Sequence, residues 1–202
     1  GIFQKLVTEG KAGTVVYTVI PYSEETKKCI GKSFEFKVQL YPIPNPTLSS
    51  NVKGVCTGSS AILSANLDET NYPNTTYTWS TGQTTKNIDV KPSSNTKYTV
   101  VAESNKCKSL PDTITIFVDN LVPIANAGPD VVICRGDSVT LQASGGKSYN
   151  WNEAEGMSAS INSASVKAAP YVTTTYKVNV YNDYCVSTAD VKVVIDRCLK
   201  EL

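Results

Sequence analysis

Short runs in which apolar and polar residues alternate recur along the chain: "TVVYTVIPY" (14–22), "SFEFKVQLY" (33–41), "DTITIFV" (112–118) and "ADVKVVI" (189–195). A period of two places every second side chain on one face, so each run predicts a half-buried β-strand. β-Branched and aromatic residues fill the runs, and clusters of Asn, Gly, Ser, Thr and Pro separate them, the composition of strands joined by turns. No window sustains the 3.6-residue stripe of an amphipathic helix. The pattern predicts an all-β chain.

The runs also repeat in order. "TKYTVVAESNKC" (96–107) aligns with "TTYKVNVYNDYC" (174–185), each with Thr-x-Tyr, an alternating strand, a polar turn and a closing Cys. Upstream, "CTGSSAIL" (56–63) matches "CRGDSVTL" (134–141), and "YTW" (77–79) matches "YNW" (149–151). Two homologous units follow, at 47–119 and 120–198, with the Pro-rich joints 41–50 and 120–130 as short, stiff linkers. Residues 1–46 match only the last two strands of a unit and predict the C-terminal part of a third. Units of this size, with a Trp packed in the sandwich centre, suit small Ig-like β-sandwiches in tandem. Trp79 and Trp151 are then core residues, and Tyr98 and Tyr176, at matched positions, are framework. Tyr72, Tyr171, Tyr181 and Tyr184 lie outside the match, in or near predicted turns, and are candidate surface contacts.

Six cysteines at 29, 56, 107, 134, 185 and 198 contain no C-x-x-C pair, so no zinc ribbon is encoded. Wide spacing in a β-rich chain favours structural disulfides and an oxidising, extracytoplasmic setting. Equal spacing would pair Cys56 with Cys107 and Cys134 with Cys185. Geometry favours another scheme. In a linear string of modules Cys134 follows the first strand, near the exit end, whereas Cys185 precedes the last strand, near the entry end. A seven-residue strand holds those ends ~23 Å apart, and a disulfide needs Cα atoms within ~7 Å. The same reasoning brings Cys56 to Cys185 across the module junction and Cys134 to Cys198 within the last unit. Cys29 and Cys107 would then seek partners in polypeptide outside the chain.

Composition narrows the function. The 202 residues carry a formal net charge of +1 and no histidine. Balanced charge offers no basic field for nucleic acid, and no apolar run reaches the ~18 residues of a membrane span. The missing His removes the commonest general base and the commonest metal ligand, so no Ser-His-Asp or Cys-His arrangement can form. Asp68 with Glu69 and Glu153 with Glu155 lie in loops without matched counterparts and read as solvated charge, not as a catalytic carboxylate pair. No EF-hand, P-loop or G-x-G-x-x-G motif occurs. Asn74-Thr75-Thr76 fits an N-glycosylation sequon. Arg135-Gly136-Asp137 forms an integrin-type tripeptide, but in the sister unit only the Cys, Gly and Ser of "CRGDSV" recur, which makes Arg135 and Asp137 free turn positions. No catalytic residue, metal site or cofactor is predicted.

The segment "PIANAGPDVVICRGDSVTLQASGGKSYNW" with "TTTYKVNVYNDYCVSTADVKVVI" resembles the Ig-like and PKD-like repeats of large surface proteins in gliding Bacteroidota, the SprB-like gliding adhesins. The resemblance covers 123–195 well, 47–119 more weakly, and 1–46 as the closing half of a PKD-like repeat. It implies cargo of the type IX secretion system displayed on the bacterial surface. It also implies O-glycosylation at Asp-Ser/Thr before an aliphatic residue, which Thr113 and Ser138 fit. The function expected is a non-catalytic structural and adhesive repeat segment, linked to gliding and attachment. Its partners would be neighbouring modules of the same parent and a surface polysaccharide or substratum. The alternatives are an accessory stalk of a secreted enzyme, and a carbohydrate-binding module.

Overall fold

A computed structural model of the chain describes residues 6, 11–22, 30–158 and 161–198. Among these residues no helix occurs, and sixteen strands form in chain order. The first ten are β1 (Gly13–Val19), β2 (Phe34–Leu40), β3 (Thr47–Ser50), β4 (Gly54–Cys56), β5 (Ala61–Asn66), β6 (Thr76–Trp79), β7 (Asn87–Val90), β8 (Thr96–Ser104), β9 (Cys107–Lys108) and β10 (Asp112–Asp119). The last six are β11 (Val131–Cys134), β12 (Val139–Gln142), β13 (Ser148–Trp151), β14 (Ser165–Ala168), β15 (Thr174–Tyr181) and β16 (Val186–Asp196). By contacts the chain divides into two compact units, one of Gly1–Asn51, Ile62–Asp89 and Lys97–Ile114, the other of Val52–Ala61, Val90–Thr96 and Thr115–Leu202.

The strand orders repeat with the sequence. One sheet runs β4-β10-β8-β6, and its counterpart runs β11-β16-β15-β13. The facing strands run β3-β5-β7 and β12-β14. In both copies the short cysteine-ending strand, β4 or β11, lies parallel to the last strand, Cys56 opposite Asp119 and Cys134 opposite Asp196. The other registered pairs are antiparallel. Two facing sheets with this order, and a buried Trp on the strand that ends each longer sheet (β6 or β13), make an Ig-like β-sandwich. β16 is longer than its sequence pattern suggests, because Val186–Ala189 continues the β15 ladder from Tyr181 to Val178.

Alternation becomes burial. In the second unit Tyr176, Val178 and Val180 of β15 and Val191 and Val193 of β16 are at most 1% exposed, packed with Trp151, Leu141 and Val166. In the first unit Leu63, Ala65, Trp79, Ile88, Val100 and Ala102 are buried likewise. A buried indole needs a partner for its N–H. Trp151 donates to Ser163 O at 3.0 Å and Trp79 to Thr85 O at 2.8 Å. Each acceptor lies two residues before the following strand, β14 or β7. Tyr176 donates its hydroxyl to Glu155 O at 2.7 Å. The prolines of the joint 41–50 are buried, with Pro44 among the most enclosed side chains of the chain.

The β1–β2 hairpin differs. Its register sets Val15, Tyr17 and Val19 opposite Val38, Phe36 and Phe34, one continuous apolar face with the Tyr17 and Phe36 rings stacked 5.0 Å apart. Phe34 and Phe36 remain 56% and 47% exposed. Their counterparts on β16, Ala189 and Val191, are partly buried and 1% exposed.

Trp151→Ala is expected to cost about 3–5 kcal/mol by deleting a buried aromatic, and Trp151→Phe less. Urea unfolding followed by circular dichroism measures the difference, and equal losses would show that a phenyl ring recovers none of the burial and that the site depends wholly on the indole.

Candidate functional site: a disulfide-clasped strand junction

The features that set this chain apart cluster in the second unit, around the parallel pairing of β4 with the end of β10. Cys56 ends β4 and Cys185 stands just before β16; the two form a disulfide, Cα atoms 4.6 Å apart, across 129 residues of sequence. Cys134 at the end of β11 is bonded to Cys198, two residues beyond β16, with Cα atoms 5.3 Å apart. The first bond ties the cysteine-ending strand of one repeat to the closing hairpin of the next. The second closes the last repeat on itself.

Strand direction explains why the equal-spacing pairs do not form. Cys134 lies opposite Asp196, the last residue of β16, while Cys185 precedes its first. The eleven residues between span ~36 Å at ~3.3 Å each. Cys56 and Cys107 are held apart by β10 in the same way, and Cys107 is a free, half-buried thiol. Cys29 lies outside the described residues.

Matched turns set both leading cysteines. Gly58 and Gly136 have φ of 82° and 92°, a backbone region that an L side chain rarely adopts. Behind them Ser59 N donates to Cys56 O at 2.9 Å and Asp137 N to Cys134 O at 3.0 Å. Arg135, Asp137 and Ser138 are exposed on the second of these turns. The tripeptide is thus a Gly-centred turn with two solvent-facing charges.

Further contacts fasten the junction. A Cβ at Gly54 would fall 2.5–2.6 Å from the Tyr184 ring, so the ring lies against bare backbone that only Gly leaves open. Asp119 accepts from Leu121 N at 2.9 Å through one carboxylate oxygen and from Tyr184 N at 3.2 Å through the other. Those backbone donors, Leu121 first and Tyr184 second, hold its pKa below the ordinary carboxylate value. Lys147 pairs with Asp183 at 2.6 Å, and Asn95 Oδ1 accepts from Val118 N at 2.7 Å. Asn95, Phe117, Val118, Asp119, Asp183 and Tyr184 line an open hollow of about 470 Å³.

The remaining singled-out residues are dispersed. Tyr184 is the only one of the four candidate tyrosines at this junction. Tyr181 ends β15, Tyr171 stands 63% exposed before β15, and Tyr72 lies in the loop before β6. Thr113 and Ser138 are exposed, on β10 and beside the Gly136 turn. Sequence reasoning missed Gly54 and Asp119, whose roles follow from a parallel strand pairing that leaves no local signature. No group of three metal-ligating side chains occurs among the described residues, and no helix there is long and apolar enough to cross a membrane.

No protein-family model matches the chain, and no curated protein matches it in sequence. Solved structures resemble it in fold. Murine CEACAM1b is 15% identical over 75% of this chain and 100% of its own, with a TM-score of 0.40. Three N-terminal domains of the bacteriophage RB49 highly immunogenic outer capsid protein are 16% identical over 75% of this chain and 59% of theirs, at 0.39. The titin I-band fragment I67–I69 is 13% identical over 94% of this chain and 76% of its own, at 0.30. At such scores the Ig-like assignment rests on strand order and core, not on these likenesses.

Asp119 favours the folded state above the ordinary carboxylate range, and that contribution is lost as pH falls through its depressed folded-state pKa. Carboxylate NMR titration should place its midpoint below ~3.9. Asp119→Asn should flatten the acid limb of stability against pH. A midpoint at or above the ordinary value would contradict the two-donor geometry.

Proposed function

We propose that the chain is a non-catalytic structural and adhesive repeat segment of a large bacterial cell-surface adhesin, exported by the type IX route and serving gliding and surface attachment. The observation that carries this reading is the Cys56–Cys185 bond, which clasps consecutive repeats covalently. A catalytic domain gains little from such a clasp, whereas a surface stalk under load gains resistance to extension. Two disulfides accord with an oxidising, extracellular location, and the adhesin reading adds the bacterial surface to it. Neighbouring modules of the same parent and a surface polysaccharide are the partners it calls for. The exposure of Thr113 and Ser138 supports them as acceptors of O-linked glycans in this reading.

Single-molecule pulling tests the clasp. The 129-residue separation encloses about 450 Å of contour length at ~3.5 Å per residue. That length should stay hidden in the oxidised chain and appear after reduction. Its release under oxidising conditions would remove the mechanical basis of the reading.

We further propose modules at 47–119 and 120–198, with 1–46 as the closing hairpin of another sandwich. Support comes from the apolar face of β1–β2, whose counterparts elsewhere are buried or partly buried, since a lone two-stranded hairpin is marginal in water. Fragment 47–198 should retain the NMR spectrum that its residues show in the full chain. Collapse of that spectrum would assign the hairpin to the sandwich that follows it.

A further inference from the structure

The first unit contains a second hollow, built on a loop that the internal repeat does not share. Residues 67–75, between β5 and β6, are more numerous than those between β12 and β13. With the approach to β7 they enclose about 510 Å³, lined by Tyr72, Asn74, Thr75, Tyr77 and the Glu69–Lys86 pair among others. That volume lies within the ~300–1,000 Å³ of small-ligand sites.

Tyr77 supplies the telling atom. It is 5% exposed, and its hydroxyl finds no hydrogen-bond partner among the described residues. The sister tyrosine, Tyr149, donates to Gly146 O at 2.8 Å. Buried hydroxyls are normally paired, because desolvation without a partner is unfavourable. Burial raises the Tyr77 phenol pKa above its ordinary value, so the group stays protonated at neutral pH and can both donate and accept.

The rest of the lining is fixed and balanced in charge. Thr75 Oγ1 donates to Tyr72 O at 2.7 Å, and Tyr72 Oη donates to Ile43 O at 3.3 Å, which orients the ring. Lys86 Nζ and Glu69 Oε1 are paired at 2.6 Å, offering a donor beside an acceptor with no net charge. A phosphate or carboxylate would meet Glu69, and an ammonium would meet Lys86. Neutral hydroxyls suit both.

We propose that this hollow binds a neutral saccharide, with Tyr77 Oη, Lys86 and Glu69 hydrogen-bonding its hydroxyls and the Tyr72 ring against a sugar face. The inference deepens the adhesive reading and rests on it for its biological setting. The two fail separately, since a missing saccharide leaves the pulling result intact, and the reverse holds.

The test is an NMR titration of the intact 202-residue chain with neutral glucan, mannan, galactan and N-acetylglucosamine oligomers, with sialylated and sulfated glycans as charged controls. At least one neutral oligomer should shift the signals of residues 69–77 and 84–86. Tyr77→Phe should weaken that binding about 5-fold, near the worth of one hydrogen bond, and leave the melting temperature unchanged or higher. Tyr72→Ala should weaken it independently. No shift with any neutral oligomer overturns the proposal, as does binding confined to the charged glycans. Tyr77→Phe with unchanged affinity and a lowered melting temperature also overturns it, by giving the hydroxyl a purely structural role.

Discussion

The parallel pairing of the cysteine-ending strand of each repeat, β4 or β11, with that repeat's last strand is the constraint from which the distinctive chemistry follows. It is three residues long at β4 and four at β11, and contributes little area. Its effect is directional. A cysteine-ending strand that runs parallel to the last must end where the last strand ends, so Cys56 lies opposite Asp119 and Cys134 opposite Asp196. An antiparallel strand there would put each cysteine at the other end and bring the equal-spacing pairs into reach. With the parallel arrangement Cys134 meets a cysteine just beyond β16, and Cys56 meets one from the next repeat. Gly54, opposite Phe117, and Asp119, opposite Cys56, then stand near the same disulfide, where one yields to the Tyr184 ring and the other accepts from its backbone N–H.

Two kinds of stability operate in the chain. Inside a sandwich it comes from burial: Trp151, Tyr176 and the valines of β15 and β16 are removed from water almost completely, each large side chain contributing roughly 1.5–3 kcal/mol. At the clasp it comes from the unfolded state, because a bond closing a long loop restricts the denatured ensemble more than a short one does. The exposed ion pairs, Lys86–Glu69 and Lys147–Asp183, add little of either kind, since solvent screens them. Small sandwiches bury limited core, so a covalent tie matters more to them than to a large domain.

Much of the fold could be read from the chain because alternation, turn residues and an internal repeat carry the same message. "YTW" and "YNW" mark the Trp-bearing strands β6 and β13, and "CTG" and "CRG" mark the turns closing β4 and β11. Comparing sister stretches separated framework from free positions, and the structure gives Cys134 and Gly136 structural places while leaving Arg135, Asp137 and Ser138 in solvent. Less was legible where partners are remote. Gly54 carries no signal of its own, because the ring it accommodates lies 130 residues away in sequence. The extent of β16 was hidden too, since Ser187 and Thr188 read as turn residues until the ladder with β15 claims them. Tyr77 matches Tyr149 in sequence, and only the different loops around them leave one hydroxyl paired and the other not.

That last contrast indicates where function can enter a repeat protein of this kind. Positions common to both repeats are committed to strands, turns and core, and a change there alters the sandwich. Positions in the 67–75 loop have no such obligation, so they can acquire a polar lining without cost to the fold. A hydroxyl left unpaired on a framework tyrosine is the trace of that freedom: the strand β6 fixes where Tyr77 stands, and the added loop determines what it faces. The clasp complements this division. The disulfide and the Gly-seated ring belong to the second unit, and the variable loop belongs to the first.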